Sequence, residues 1–378
     1  MAWMIKYDKL DDDQKDFVDK EINTGGNIWI QGFAGSGKSV MLIHALRKKI
    51  NKNPNANVCI VVFTRSLIDM FKTGMAELGM QEIPVMTYHQ FKKGYQNYDY
   101  IFCDEVQDLP ADVLTLMKQR SQYVYVAGDS NQSIYENTVT TTEIGNIINA
   151  RPFVLTRIYR LTRSIMNAVS NLLPNLDIFG SRRDMTKQDI SVRLGRGYDK
   201  NEEVKYVWQQ SSDATSAWYS SAVLLPKHDY IFDFANHLLI QNGKVPWSLQ
   251  KNNYGKPDYN SLNNHFRNQG LKIEYVGNGY GSFQNAERNR NTILMTYHSA
   301  KGMDFDNVFL PFLNDDVSIS KSNEETLFMV AITRSKMNLF ITYSGYLHHL
   351  VSKFESTCQK IDLNAAKKSS NSDIDFDF

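Results

Sequence analysis

Residues 27–50 read NIWIQGFAGSGKSVMLIHALRKKI, and the order of their residue types decides the fold. A short apolar run, NIWI (27–30), leads into a loop with three glycines, and the loop leads into a helical run from Val40 onward. The loop satisfies G-x-x-x-x-G-K-[ST] across Gly32, Phe33, Ala34, Gly35, Ser36, Gly37, Lys38 and Ser39. Glycines at these positions let backbone N–H groups approach phosphate oxygens at a helix N-terminus, where the helix dipole favours negative charge. Lys38 would reach the β and γ phosphates, and the Ser39 hydroxyl would face Mg2+. The expected cofactor-binding set is therefore Gly32, Gly35, Ser36, Gly37, Lys38, Ser39 and Val40, for ATP with Mg2+. A strand, a phosphate loop and a helix in that order predict a parallel α/β sheet.

Outward from this stretch, the same alternation recurs. VCIVVF (58–63), YDYIFC (98–103) and YVYVAG (123–128) are continuous apolar runs, each followed by a polar or amphipathic segment. Such runs suit parallel strands covered on both faces. A second series, AVLLP (222–226), TILMTY (292–297), NVFLPF (307–312) and LFITYS (339–344), repeats the pattern. With 378 residues, the chain is expected to form two α/β domains, 1–150 and 151–362, the second with a small insert around 230–290. Residues 251–291, rich in Asn and Gly, read as loops around one short helix or strand, and 363–378 as a disordered tail.

Composition narrows the function classes. The chain is 42% hydrophobic and 22% charged, with 20 Tyr and 20 Phe, which describes a globular protein with a sizeable core. A net charge of +1 excludes a bulk polycation, so a nucleic-acid partner would require a localised groove and stacking side chains. Cys59, Cys103 and Cys358 are widely spaced and suggest neither a disulfide framework nor a zinc site. No apolar leader opens MAWMIKYDKLDDDQ and no run approaches the length of a membrane span, so a cytoplasmic protein with no membrane partner is expected.

Asp104 and Glu105 close the strand YDYIFC. An Asp at that edge would hold Mg2+, and the neighbouring Glu would polarise an attacking water. Kinases, GTPases, transporters and motors all share these two elements, and they do not choose among them.

Four further stretches occur in order: CDEVQD (103–108), VAGDSNQSIY (126–135), TYHSAKGMDFDNVFLP (296–311) and FMVAITRSKMNLFITYS (328–344). Together with the phosphate loop they resemble the UvrD/Rep-like superfamily 1 helicases, from about Leu10 to Ser344. The resemblance implies two RecA-like domains with the nucleotide in the cleft between them. It places Gln14 of LDDDQ against the adenine, and gives Gln132 and Arg160 to the γ-phosphate. Arg334 of AITRSK becomes an arginine finger, and Gly302 and Asp304 lie near the nucleotide, Asp304 standing where the family usually has Glu. Lys38, Glu105, Gln132, Arg160 and Arg334 make up the implied catalytic set, with Ser39 and Asp104 on the metal. Thr64, Thr87, His89, Phe91, Tyr135, Thr296 and His298 are the implied contacts to single-stranded DNA.

Family members carry two large inserted subdomains, and this chain has room for neither at full size: about forty residues separate Arg65 from Asp104. The expectation is an ATP-dependent DNA helicase or single-strand translocase moving 3′ to 5′. The competing expectation is a nucleotide-gated ATPase subunit that controls a partner nuclease or other DNA-processing protein with little unwinding of its own. Steep stimulation of ATPase by single-stranded DNA separates the two.

Overall fold

The computed structural model describes residues 3–129, 133–134, 139–176, 178, 182–183 and 188–364. The chain divides into two compact units, one of residues 1–161 and 176–187, the other of residues 162–175 and 188–378.

Unit 1 opens with α1 (Asp12–Asp19), started by an Asp11 capping box, and continues through β1 (Asn27–Gln31), α2 (Lys38–Lys52), β2 (Val58–Val62) and α3 (Arg65–Glu77). Next come β3 (Val85–Thr87), α4 (Tyr88–Lys93), β4 (Tyr98–Cys103), α5 (Ala111–Gln119) and β5 (Ser121–Gly128). The unit finishes with α6 (Thr141–Ile148), β6 (Ala150–Val154) and the short pair β7 (Arg157–Ile158) and β8 (Arg182–Arg183). Among the described residues the main sheet has six parallel strands in the order β3-β2-β4-β5-β1-β6. One face packs on α2 and α3 through Leu42, Leu46 and Phe71, the other on α5 and α6 through Val113, Met117 and Ile144. Burial on both faces explains why β2, VCIVV, is apolar at every position. All strands run one way, so the loops that follow them gather along one carboxyl edge, where ligands bind in open parallel sheets.

Unit 2 repeats the plan with α7 (Arg163–Leu172), β9 (Arg193–Gly197), α8 (Lys200–Ser216), β10 (Ser221–Leu225), α9 (His228–Gln241), α10 (Tyr259–Asn268) and β11 (Ile273–Tyr275). It continues through α11 (Phe283–Arg288), β12 (Thr292–Thr296), β13 (Phe305–Leu310), α12 (Glu324–Ile332), β14 (Ser335–Ser344), α13 (His349–Ser352) and β15 (Gln359–Asp362). Among the described residues its sheet has seven parallel strands in the order β11-β12-β10-β13-β14-β9-β15.

Three expectations about organisation need correction. The unit boundary falls after Leu161 and not at 150, because β6 pairs with β1 as an edge strand of the first sheet. The small insert expected around 230–290 belongs to the second fold itself, since α9 and α10 pack into its core through Phe234, Leu238, Leu262 and Phe266 and β11 is the sheet's edge strand. Within 251–291, where the sequence predicts one short helix or strand, the chain forms α10, β11 and α11. The folded part also extends past 362, since Leu363 is buried and packs over Gly195; residues 365–378 of the expected tail lie outside the described residues. Among the described residues no helix is long and apolar enough to cross a membrane.

A buried acid fixes one turn of unit 2. Glu203 of α8 is 0% exposed, and its Oε2 accepts hydrogen bonds from Phe312 N (2.8 Å) and Thr342 Oγ1 (2.7 Å). Phe312 sits at φ 66°, a left-handed conformation that a bulky residue rarely adopts without support. Burial pushes the Glu203 carboxyl above its usual range. Glu203→Ala would leave two buried donors unsatisfied, and we expect it to cost about 2–4 kcal/mol, read as a lower urea midpoint; Glu203→Gln, which keeps an acceptor, should lose less than half as much.

Candidate nucleotide and nucleic-acid sites

The loop after β1 turns sharply. Gly35 has φ +78°, and a Cβ there would stand 2.5 Å from Arg160 Cβ. Gly37, the residue before α2, has φ +90°, and its Cβ would stand 2.9 Å from Gln14 Nε2. Neither position admits a side chain, so the loop backbone stays bare for a ligand to approach. Lys38 is nearly buried and folds its amine over the loop, donating to Gly32 O at 2.7 Å and Phe33 O at 3.2 Å. Burial lowers its pKa, opposed by the carboxylates of Asp129, Glu105 and Asp104.

Ser39 Oγ donates to Asp104 Oδ2 at 2.6 Å, joining the start of α2 to the end of β4. Asp104 is buried, and that burial, followed by the charge of Glu105, pushes its carboxyl up to about 6; the bond from Ser39 and the charge of Lys38 act against the rise. Glu105 adopts φ 52°, a strained backbone of the kind that collects at functional sites. Its Oε2 accepts from Gln107 Nε2 at 2.5 Å, and Gln107 Oε1 accepts from Asp129 N at 3.2 Å. Gln107 is thus a fully buried bridge between the strained Glu105 and the backbone after β5. A Cβ on Gly128 would overlap Gln107 Oε1, so the glycine makes room for the bridge.

Buried donors beside the loop lack a hydrogen-bond partner among the described residues. Ser36 Oγ is one. Gln14 spends its Oε1 on the Asp11 capping bond (3.2 Å), while its Nε2 is unsatisfied beside Gly37. Orphaned buried donors around a bare glycine loop fit a phosphate-bearing ligand with a polar base. Among the described residues no group of three or more His, Cys, Asp or Glu could hold a metal ion. Ser39 and Asp104 supply two oxygens, a donor set that fits Mg2+ shared with substrate phosphates and water, because Mg2+ rarely takes an all-protein cage.

Arg160 needs reassignment. The sequence pattern gives it to the second domain, whereas it lies in unit 1: Tyr159 N donates to Gly35 O at 2.9 Å and the Arg160 side chain packs on Gly35. The cause is again β6, whose pairing with β1 carries the chain across the phosphate loop. Gln132 and Tyr135 lie outside the described residues.

A second cluster follows β2 and β3. Phe63 stacks on Tyr88 (ring centroids 5.3 Å apart, planes at 23°), and Tyr88 lies against the exposed His89 ring at 3.9 Å. Thr64 adjoins it, half-buried at the start of α3. Phe63 and Tyr88 are partly buried against the core of unit 1 while His89 is open, an arrangement whose chemistry suits flat ligands such as bases. Two other expected contacts are corrected. Phe91 is 2% exposed and packs in the core beside Tyr98 and Arg120, and the Thr87 hydroxyl caps α4 by accepting from Gln90 N. Phe63 and Tyr88 were missed, although they stand directly after the strands β2 and β3, where a side chain is free of the sheet.

In unit 2, the turn after β12 holds Thr296, His298, Lys301, Gly302 and Asp304. Thr296 is buried, and its hydroxyl donates to Ser299 Oγ (3.0 Å) and accepts from Ser299 N (3.2 Å), so it shapes the turn. His298 is half-buried, and burial, then His228 and Lys301, lower its pKa. Gly302 takes φ +80° and Asp304 is exposed. Arg334 is buried and donates to Val330 O (2.8 Å), Met303 O (3.0 Å) and Thr333 Oγ1 (3.0 Å), all within its own unit. A finger role would require these bonds to be exchanged.

Comparison with known proteins gives the family. Residues 28–217, half of the chain, match the family model for the viral superfamily 1 RNA helicase core domain, and residues 250–346 match the UvrD-like helicase C-terminal domain. A protein of Acanthamoeba polyphaga mimivirus named "Putative ATP-dependent DNA helicase" is 23% identical over 299 residues, covering 70% of this chain and 38% of that protein. Among solved structures, the PRRSV helicase is 15% identical with a TM-score of 0.43, covering 84% of this chain and 52% of that one. The Arterivirus nonstructural protein 10 helicase is 12% identical with a TM-score of 0.45, alone (87% and 61% covered) and in complex with DNA (87% and 63%). The chain spans 38% of the mimivirus relative and little more than half of the solved helicases. Matching family models cover both units, and the chain belongs to the superfamily 1 helicases.

Proposed function

We propose that the chain hydrolyses ATP at the loop after β1 and uses the energy to move 3′ to 5′ along a single strand of DNA. The observation that carries the reading is the bond from Ser39 to Asp104, with Glu105 held beside it by Gln107. Mg2+ bound to Ser39, Asp104 and the phosphates would neutralise charge that develops on the transferred phosphoryl group. Lys38 sits where its ammonium can exchange two backbone carbonyls for phosphate oxygens, a charge-assisted gain. Arg160, packed on Gly35, can add a second cation on the same side. Glu105 takes the role of orienting and deprotonating the attacking water. Gln14 Nε2, with no hydrogen-bond partner among the described residues, suits a ring nitrogen of the adenine.

Phe63, Tyr88 and His89 would stack bases sequence-tolerantly, consistent with a motor that must step along any sequence. His298 offers a polar contact from unit 2. The direction of movement rests on the family resemblance. RNA is the second reading for the strand, because the model matching residues 28–217 describes RNA helicases. Displacement of streptavidin from biotinylated oligonucleotides tests both. On DNA with ATP, release from the 5′ end at least ~10-fold faster than from the 3′ end is expected for 3′ to 5′ travel. Faster release from the 3′ end reverses the direction, and release from RNA alone changes the substrate.

A further inference from the structure

A second-unit contact for the strand emerges between α9 and α10, at residues 250–258. The chain here doubles back in a turn centred on Asn252. Asn252 N donates to Lys256 O at 2.7 Å and Gly255 N to Asn252 O at 2.9 Å, while Asn252 Oδ1 accepts from Tyr254 N (2.9 Å) and Lys256 N (3.1 Å). Below it, Lys251 bridges to Pro257 and Asp258 N donates to Gln250 O at 2.8 Å. Gly255, at φ +71°, supplies the left-handed step. The remaining Asn252 donor, Nδ2, reaches Tyr280 OH at 3.0 Å. Tyr280 meets Tyr259 edge-on at 5.5 Å, and Tyr259 stacks on Tyr275 at 4.1 Å with planes at 17°. A short exposed turn is therefore bonded throughout and pinned to the aromatic interior of its unit.

The tip presents an aromatic ring between two cations. Tyr254 is 87% exposed, and both Lys251 and Lys256 are exposed on either side of it. Among the described residues neither lysine pairs with a carboxylate. Tyr275 ends β11, Tyr280 closes the turn that follows it, and His228 Nε2 lies 3.1 Å from Tyr275 OH just beyond β10. The turn is thus pinned at the carboxyl edge of the second sheet, the edge that also carries His298 after β12. An open ring carried on a bonded turn and flanked by two cations matches the chemistry of a single nucleic-acid strand, whose bases offer π-faces and whose backbone offers phosphates. A turn whose backbone is already bonded also avoids part of the ordering cost that a floppy loop would incur on binding.

We propose that Tyr254 stacks on a base of the bound strand and that Lys251 and Lys256 contact its phosphates. This inference rests on the strand-binding reading above. The test uses the full chain and fluorescein-labelled dT20 and U20, followed by fluorescence anisotropy. Tyr254→Ala should weaken binding by about 5- to 100-fold, the contribution of one stacked base, while Tyr254→Phe stays within about twofold. Lys251→Ala with Lys256→Ala should lower the slope of log K against log salt by about 1.4, two phosphates' worth for a single strand. ATPase without nucleic acid and the urea midpoint should stay at the wild-type values in all three. If the wild type binds and Tyr254→Ala binds equally well, or the lysine pair leaves the slope unchanged, this contact is wrong while strand binding stands. If the wild type binds neither strand, the strand-binding reading fails and takes this contact with it.

Discussion

Replacing Asp104 by Asn is expected to abolish ATP hydrolysis while making the nucleotide-free protein harder to unfold at neutral pH. The activity loss follows from the oxygen that would hold Mg2+ losing its charge, and should be about 10³-fold or more, since metal-borne charge stabilisation is worth several kcal/mol. The stability gain follows from burial. Burial pushes the Asp104 carboxyl up to about 6 from an ordinary value near 3.8, so the folded state holds its proton more tightly than the unfolded state does. Stability from this group is therefore full below about pH 4 and is lost as pH rises through 6. Above that, the buried carboxylate costs about 3 kcal/mol, at 1.36 kcal/mol per pKa unit, and Asn escapes the cost. The stability of Asp104→Asn relative to wild type should therefore grow by about 2–3 kcal/mol between pH 4 and 7.5, measured by urea unfolding without nucleotide or Mg2+. A difference that does not change with pH would contradict the assignment of the raised pKa to Asp104.

Glu105→Gln is expected to reduce kcat by about 10²- to 10⁴-fold, the usual contribution of a positioned general base, with KM for ATP changed by less than about threefold. Gln107→Ala should reduce kcat by about 10- to 100-fold although Gln107 is fully buried and ionises nowhere. Its amide links Glu105 Oε2 to the backbone N–H of Asp129, and without it the strained Glu105 loses that support. Because Gln107 acts through Glu105, the effects should not add: Gln107→Ala placed in a Glu105→Gln background should cost less than about twofold more. Full additivity would mean that Gln107 affects hydrolysis by another route. Gln107→Glu is a useful companion, since a carboxylate facing Glu105 cannot donate and should be at least as inactive as Gln107→Ala.

The sequence is legible where local chemistry and local geometry coincide. The phosphate loop needs glycines because Gly35 and Gly37 take positive φ against Arg160 and Gln14, and a pattern of residue types records that need directly. Apolar strands such as VCIVV announce burial on both faces. Side-chain direction is different. Thr87 and Phe91 lie in a stretch the family resemblance assigns to nucleic acid, yet one caps α4 and the other fills the core, while between them Tyr88 is half-buried and His89 is exposed. Resemblance assigns segments, and only packing decides which side chain within a segment faces out.

Edge strands were hidden for a related reason. β6, ARPFV, carries Arg151 and Pro152, which an edge tolerates and a central strand would not, so its run does not look like a strand. β15, QKID, is polar for the same reason. Missing β6 displaced the domain boundary and moved Arg160 into the wrong unit. β11 is three residues long within an Asn-rich and Gly-rich stretch, too short for periodicity to register.

The central claim is that this site couples ATP hydrolysis to a single strand, and steady-state ATPase of the purified chain tests it most directly. The comparison is no nucleic acid against single-stranded DNA, duplex DNA and RNA, with Lys38→Ala and Glu105→Gln as inactive references. Stimulation of at least ~10-fold by single-stranded DNA, absent in both variants, is the expected result for an ATP-driven motor. Hydrolysis that is indifferent to every nucleic acid would contradict it and would favour a nucleotide-gated subunit answering to a protein partner.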